Sequence, residues 1–167
     1  MNLYLLRHGI AVEQSALWIA RDADRPLTPE GERKICQVAE AMKALGLSFD
    51  LILSSPYVRA RQTAKIVAEA FNTSRKLEFS DTLTPGGSPK KLIEYLNRLQ
   101  PPPEDVLLSS HEPFLSELIS LLVSGGEDFS IVMKKGSLCK LIIGSLKHGR
   151  CASLEWLLTS KQMALMA

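Results

Sequence analysis

Two histidines and two arginines stand directly behind apolar runs of this chain. Leu3 to Leu6 is followed by Arg7-His8-Gly9, and Leu51 to Leu53 by Ser54-Ser55-Pro56, with Arg59 one turn on. Val106 to Leu108 is followed by Ser109-Ser110-His111. Ligands of open α/β sheets bind beyond the carboxyl ends of the strands, so the four residues are predicted to converge on one edge. That set suits phosphoryl transfer, in which catalysis is mostly positioning and electrostatic stabilisation of a spread negative charge. A guanidinium offers a planar fork of donors to phosphate oxygens and keeps its charge. A neutral imidazole, with an ordinary pKa of about 6.5, can attack phosphorus, and a second imidazole in its charged form can neutralise the oxyanions. Arg59 falls on the first turn of a predicted helix, whose free N–H groups favour an anion.

An isolated Arg-His pair behind a strand is more often a hydrogen-bonded structural pair than a nucleophile and its ligand. Three anion-binding positions predicted at one edge favour the functional reading. Arg25 either contacts substrate or braces the loop around Asp22 and Asp24 through ion pairs. Arg61 is expected on a solvated face, Thr63 as a packing residue one turn beyond Arg59, and His148 in a solvated turn with Lys147 and Arg150. Lys134-Lys135-Gly136-Ser137 resembles part of a P-loop but lacks its glycine spacing and its strand-then-helix context. The three histidines show neither ligand spacing nor clustered carboxylates, so no metal and no cofactor is expected.

The elements that must hold these residues alternate between short apolar runs and helix-period segments. That is the pattern of an α/β domain with a largely parallel sheet. Thr28 reads as an N-cap before Pro29, with Ile35, Val38, Ala39, Met42 and Leu45 as the apolar stripe and Gly46 as the stop. Ser55 reads as the cap of a second helix that buries Ala64, Val67, Ala68 and Phe71 and ends at Asn72. A weak strand near Leu77 to Phe79 precedes the Gly- and Pro-rich loop from Thr82 to Gly87. Ser88-Pro89 opens a third helix with Leu92, Ile93, Leu96 and Leu99 inside, and Leu115, Leu118, Ile119 and Leu122 mark a fourth. Leu138 to Ile143 and Ala152 to Leu158 read as an antiparallel pair, and residues 160–167 as a short helix or a fraying end. The prediction is a single domain over 1–167, a three-layer α/β/α sandwich whose mostly parallel central sheet carries antiparallel C-terminal strands.

Bulk properties bound the function. Hydrophobic residues are 46% and charged residues 23% of the 167 residues, ordinary globular usage. A net charge of +2 gives no reason to expect nucleic acid or a membrane as partner, so attraction for anions must be local. The N-terminus has no positive leader or cleavage site and no apolar run approaches a bilayer span, so the protein is expected to stay in the cytoplasm as a monomer. Cys36, Cys139 and Cys151, odd in number and without a close pair, fit free thiols there.

Leu6-Arg7-His8-Gly9 resembles the RHG signature of the histidine phosphatase superfamily, also called the phosphoglycerate mutase-like family. Arg25-Pro26-Leu27-Thr28-Pro29-Glu30-Gly31 is similar to its RxLTxxG segment, and Ser54-Ser55-Pro56 through Arg59-Ala60-Arg61-Gln62-Thr63 to its SSPxxRAxQT segment. Ser110-His111-Glu112-Pro113 takes the place of its second histidine. The resemblance implies His8 as the nucleophile that becomes phosphohistidine, Arg7 and Arg59 as phosphate ligands, and His111 as the second phosphate-contacting histidine. The short chain, Ser-His-x-Pro-Phe and Leu83-Thr84-Pro85-Gly86 are most similar to the SixA group of phosphohistidine phosphatases. The partner this implies is a phosphorylated histidine protein, such as the phosphotransfer domain of a two-component kinase.

One departure bears on the substrate. Larger relatives place a glutamate acid after the third strand, where this chain has only Asp81 ahead of Leu83 to Gly87. A general acid contributes about 10²- to 10⁴-fold by protonating a leaving group, so an alkyl phosphate is disfavoured without one. A phosphohistidine can release neutral imidazole when its far nitrogen is already protonated. The alternatives are a broad phosphatase for small phosphoesters, with Asp81 or Glu13 as the acid, and a non-catalytic phosphate-binding module.

Overall fold

The structure, a computed structural model, describes residues 1–16, 19–126 and 129–167. Six strands form one sheet: β1 (Asn2–Arg7), β2 (Leu51–Ser54), β3 (Leu77–Phe79), β4 (Asp105–Ser110), β5 (Leu138–Ile143) and β6 (Ala152–Leu158). Their order is β3-β2-β4-β1-β5-β6. The first four run parallel, whereas β5 lies antiparallel to β1 and β6 antiparallel to β5. The predicted mixed sheet is therefore the observed one.

The central strands read as unbroken apolar runs because both of their faces are covered. Side chains alternate between faces. Leu3, Leu5, Leu51, Leu53, Val106 and Leu108 pack into one core with α3 (Pro89–Arg98) and α4 (Phe114–Ser124). Tyr4, Leu6, Ile52 and Leu107 pack into a second core with α1 (Pro29–Ala44), α2 (Val58–Ala70) and α5 (Ser160–Met163). Two cores on opposite faces of one sheet make the three layers.

Helix α1 starts where its sequence says it must, because the Thr28 hydroxyl accepts from Gly31 N–H and Pro29 holds the first helical position. Its stripe Ile35, Val38, Ala39 and Met42 is fully buried. Leu45 departs from the expected stripe: it caps the helix and is 41% exposed, since the chain turns away through Gly46 at φ +69°. Helix α2 is capped at Tyr57, not at Ser55. The Ser55 hydroxyl does accept from Tyr57 N–H at 3.3 Å, but outside the helix. The last helix does not fray at its start, because Thr159 and Gln162 form a reciprocal capping box and Met163 is buried.

Strands β2 and β4 run further than their apolar letters suggest. Both continue through serines, with Ser54 opposite Ser109 and Arg7 opposite Ser110. These small hydroxyls are satisfied inside the fold: Ser109 Oγ donates to Ala60 O at 3.0 Å and Ser110 Oγ to Leu83 O at 2.7 Å. They tie α2 and the turn Asp81–Leu83 to the end of β4.

Candidate active site

Strands β1, β2 and β4 are parallel neighbours, so their carboxyl ends fall at one edge and bring the three segments together. The His8 N–H continues the ladder to Ser110 O at 3.0 Å. On the other side, Gly136 N–H donates to both Arg7 O and His8 O at 3.1 Å, and Arg7 N–H donates to Ser137 O. The nucleophile candidate is held between two backbone segments.

The His8 ring lies 5.0 Å from the His111 ring, centroid to centroid, and both are buried. Arg59 Nε–H donates to His8 Nε2 at 3.1 Å. A guanidinium has no lone pair to offer, so Nε2 must be the unprotonated nitrogen. The proton then sits on Nδ1, which donates to Gly9 O at 2.7 Å. The neutral tautomer with its lone pair on Nε2 is thus set by two bonds.

Arg59 is 4% exposed and all three edges of its guanidinium are engaged. Besides His8, it donates through Nη1 to Asp22 O at 2.7 Å and through Nη2 to Asp22 Oδ2 at 2.8 Å. Tyr57 lies against it, the Arg59 carbon 5.3 Å from the ring centroid, and the same ring meets His111 edge-on at 5.2 Å. Arg7 donates through Nη1 to Met133 O at 2.6 Å, whereas its buried Nε has no partner. His111 Nε2 bonds Ser55 Oγ at 2.8 Å, and its Nδ1 is likewise buried and unpaired. Where the Ser55 hydroxyl donates to Nε2, the His111 proton falls on Nδ1 and faces this edge as a donor. Buried unpaired donors are costly, and Arg7 Nε and His111 Nδ1 are both supplied to this edge.

Burial pushes His8 down to about 3; its bond to Gly9 O opposes this, while Arg59, Arg7 and Lys135 add to it. Burial also takes His111 down to about 2, reinforced by His8, Arg59 and Arg7 and opposed by Asp22. Both imidazoles are neutral here. The charged form in which the second imidazole could neutralise oxyanions is disfavoured here by burial and by the surrounding cations. A phosphoryl dianion between the rings acts in the opposite direction and raises both.

Arg25 braces. Its Nε donates to Val12 O at 2.7 Å and its Nη1 to Asp22 Oδ1 at 2.8 Å, with Glu13 at 3.9 Å. Asp24 pairs with Arg21 instead. Asp22 therefore joins Arg25 to Arg59; burial raises its pKa, but the bonds from Arg25 and Arg59 outweigh that and hold it below the ordinary carboxylate range. Arg61 and His148 are exposed, as expected.

Four contributors were legible only in part. Thr63 is more than packing: its hydroxyl accepts from Gly9 N–H at 3.1 Å and donates to Arg59 O at 2.8 Å. The i, i+4 spacing from Arg59 to Thr63 was the available signal. Gln62 Oε1 accepts from Leu27 N–H at 2.7 Å, which links α2 to the RxLTxxG segment. Ser55 and Asp22 carried no signal of their contacts with His111 and Arg59, because both contacts cross between elements far apart in sequence.

Among the described residues no group of three His, Cys, Asp or Glu could hold a metal ion, and no helix is long and apolar enough to cross a membrane. Among the described residues neither the Glu112 nor the Asp81 side chain hydrogen-bonds a clamp residue. Glu112 accepts from Ser116 N–H at 3.2 Å while its charge supports Arg7, and Asp81 is exposed beside the turn to Leu83.

The sequence and fold are similar to those of known proteins. Residues 3–84 match the family model of the histidine phosphatase superfamily, branch 1. Phosphohistidine phosphatase SixA of Escherichia coli K12 is 32% identical over 126 residues, 75% of this chain and 76% of that protein. An uncharacterised protein of Picosynechococcus sp. is 36% identical over 167 residues and 99% of each chain. The solved structure of the protein histidine phosphatase SixA complexed with tungstate superposes with a TM-score of 0.83 at 26% identity, covering 96% of this chain and 98% of that one. The chain belongs to the histidine phosphatase superfamily and is a hydrolase of the phosphatase class. Within the superfamily it falls in the SixA-type group.

Proposed function

We propose that the chain is a phosphohistidine phosphatase acting through a covalent phosphohistidine at His8, with Arg7, Arg59 and His111 holding the phosphoryl group. The observation that carries this reading is the tautomer lock, which leaves the His8 Nε2 pair facing Arg59 and the His111 ring. In the first step Nε2 attacks phosphorus, and the bond to the substrate nitrogen breaks with its electron pair on that nitrogen. Arg59 Nε–H transfers its hydrogen bond from Nε2 to a phosphoryl oxygen, while Arg7 Nε–H and His111 Nδ1–H take others. In the second step water attacks phosphorus, the pair returns to Nε2 and inorganic phosphate leaves.

The carboxylates support a phosphoramidate substrate. Asp22 is held ionised between two arginines and has no proton to give at neutral pH. Glu13 is 74% exposed and faces Arg25. Imidazole leaves without an acid when its far nitrogen is protonated, whereas an alkoxide does not. The name of the Escherichia coli relative and the tungstate, a tetrahedral oxyanion, bound by the solved one agree with this substrate class. We infer that the substrate is a histidine-phosphorylated protein such as a two-component phosphotransfer domain, in the cytoplasm. All four clamp residues come from one chain, so a monomer suffices.

The test is brief incubation with labelled phosphohistidine protein followed by denaturation. Label on the wild-type chain that is acid-labile and base-stable, and absent from His8→Ala, is expected. Equal phosphate release by wild type and His8→Ala defeats the mechanism. Equal turnover of an alkyl phosphate and phosphohistidine points instead to a general phosphomonoesterase.

A further inference from the structure

Beside the phosphoryl clamp lies a groove of about 350 Å³ whose wall includes Arg7, Gly9, Ile10, Lys34, Lys134 and Lys135. Its position is set by backbone, since the turn from Met133 to Ser137 accepts from Arg7 Nη1 and Arg7 N–H and donates from Gly136 N–H to Arg7 O and His8 O. Ser160 Oγ closes the far side by donating to Lys135 O at 3.4 Å. Lys34 is paired with Glu30 at 2.7 Å, but among the described residues neither Lys134 nor Lys135 takes part in an ion pair. Lys135 is near enough for its charge to act on His8.

Two guanidiniums and His111 already match a phosphoryl dianion, so the two lysines are surplus to that group. The geometry points to a second anion-binding subsite in this groove, which takes carboxylate side chains of the phosphorylated protein next to its phosphohistidine. The inference rests on the phosphohistidine reading and adds the partner's surface chemistry to it. Lysine head groups on mobile stems suit scattered carboxylates on a protein surface better than one fixed oxyanion. The half-buried Ile10 adds apolar surface at the same place. Rim charges of this kind act mainly on encounter and on salt dependence.

The probes are a histidine-phosphorylated phosphotransfer domain and free phosphohistidine, compared as a ratio of kcat/KM. Lys134→Ala/Lys135→Ala is expected to lower the ratio of protein to free substrate by about tenfold and to flatten the salt dependence for the protein. Lys65→Ala/Arg75→Ala removes the same charge from an exposed part of the surface elsewhere and is expected to leave the ratio alone. The Kd of the phosphorylated protein for His8→Ala chains, with and without the lysine pair, repeats the comparison without turnover. An unchanged ratio and Kd overturn the subsite, as does an equal fall on both substrates, which would assign the lysines to the phosphoryl group. Wild type that hydrolyses neither probe defeats the phosphohistidine reading instead.

Discussion

The Nε2 pair of His8 accepts from Arg59 in this structure, and the same pair must reach phosphorus, so Arg59 has to exchange one acceptor for another without moving away. Asp22 makes that exchange economical by holding the two Nη nitrogens while Nε switches. Arg59→Lys retains the charge but loses the fork. We expect kcat/KM for phosphohistidine to fall by about 10- to 100-fold, as measured by phosphate release. Thr63→Val keeps the shape of the side chain and leaves Gly9 N–H unpaired in a buried site. A loss of about 1–3 kcal/mol in urea unfolding is expected, and an unchanged midpoint would show that Gly9 N–H finds another acceptor.

At the scale of elements, the clamp depends on how closely α1 approaches the segment after His8. A Cβ at Gly31 would stand 2.1 Å from Ile10 O, and Thr28 N–H donates to that same oxygen at 2.9 Å. The glycine of the RxLTxxG segment is thus required by backbone contact. Gly31→Ala forces α1 and the Gly9-Ile10 segment apart, with an expected cost of at least about 1–3 kcal/mol. The displacement passes to His8, so activity should fall together with the thermal midpoint. If Gly31→Ala matches wild type in both, the close approach is not needed.

For the whole molecule, two buried neutral histidines link stability to pH. Both have native pKa values lowered far below the ordinary value of about 6.5, so the unfolded chain binds more protons once pH falls below that. Their contribution is present above about 6.5 and is lost as pH falls towards 3. The slope approaches about 1.4 kcal/mol per pH unit for each histidine. Urea midpoints measured from pH 7 to 4 should fall, and fall less steeply in His8→Asn and His111→Asn. The opposite slope would mean that the histidines are charged in the native state.

Order and periodicity determined much of this protein. Apolar runs ending in Arg7-His8, Ser54-Ser55 and Ser109-Ser110-His111 name the clamp because parallel neighbours must end at one edge. The helical stripes likewise name the two cores. Capping at Tyr57, the exposure of Leu45 and the hydrogen bonds of Thr63 depend on local backbone paths that letter patterns do not encode. Only tertiary structure shows the partners of Arg25, Val12 O and Asp22, because letter patterns do not place that loop. It alone gave the surroundings that lower the His111 pKa too. An imidazole is charged or neutral according to burial and the charges around it, and those around His111 come from the end of β1 (Arg7), from α2 (Arg59) and from the loop at Asp22.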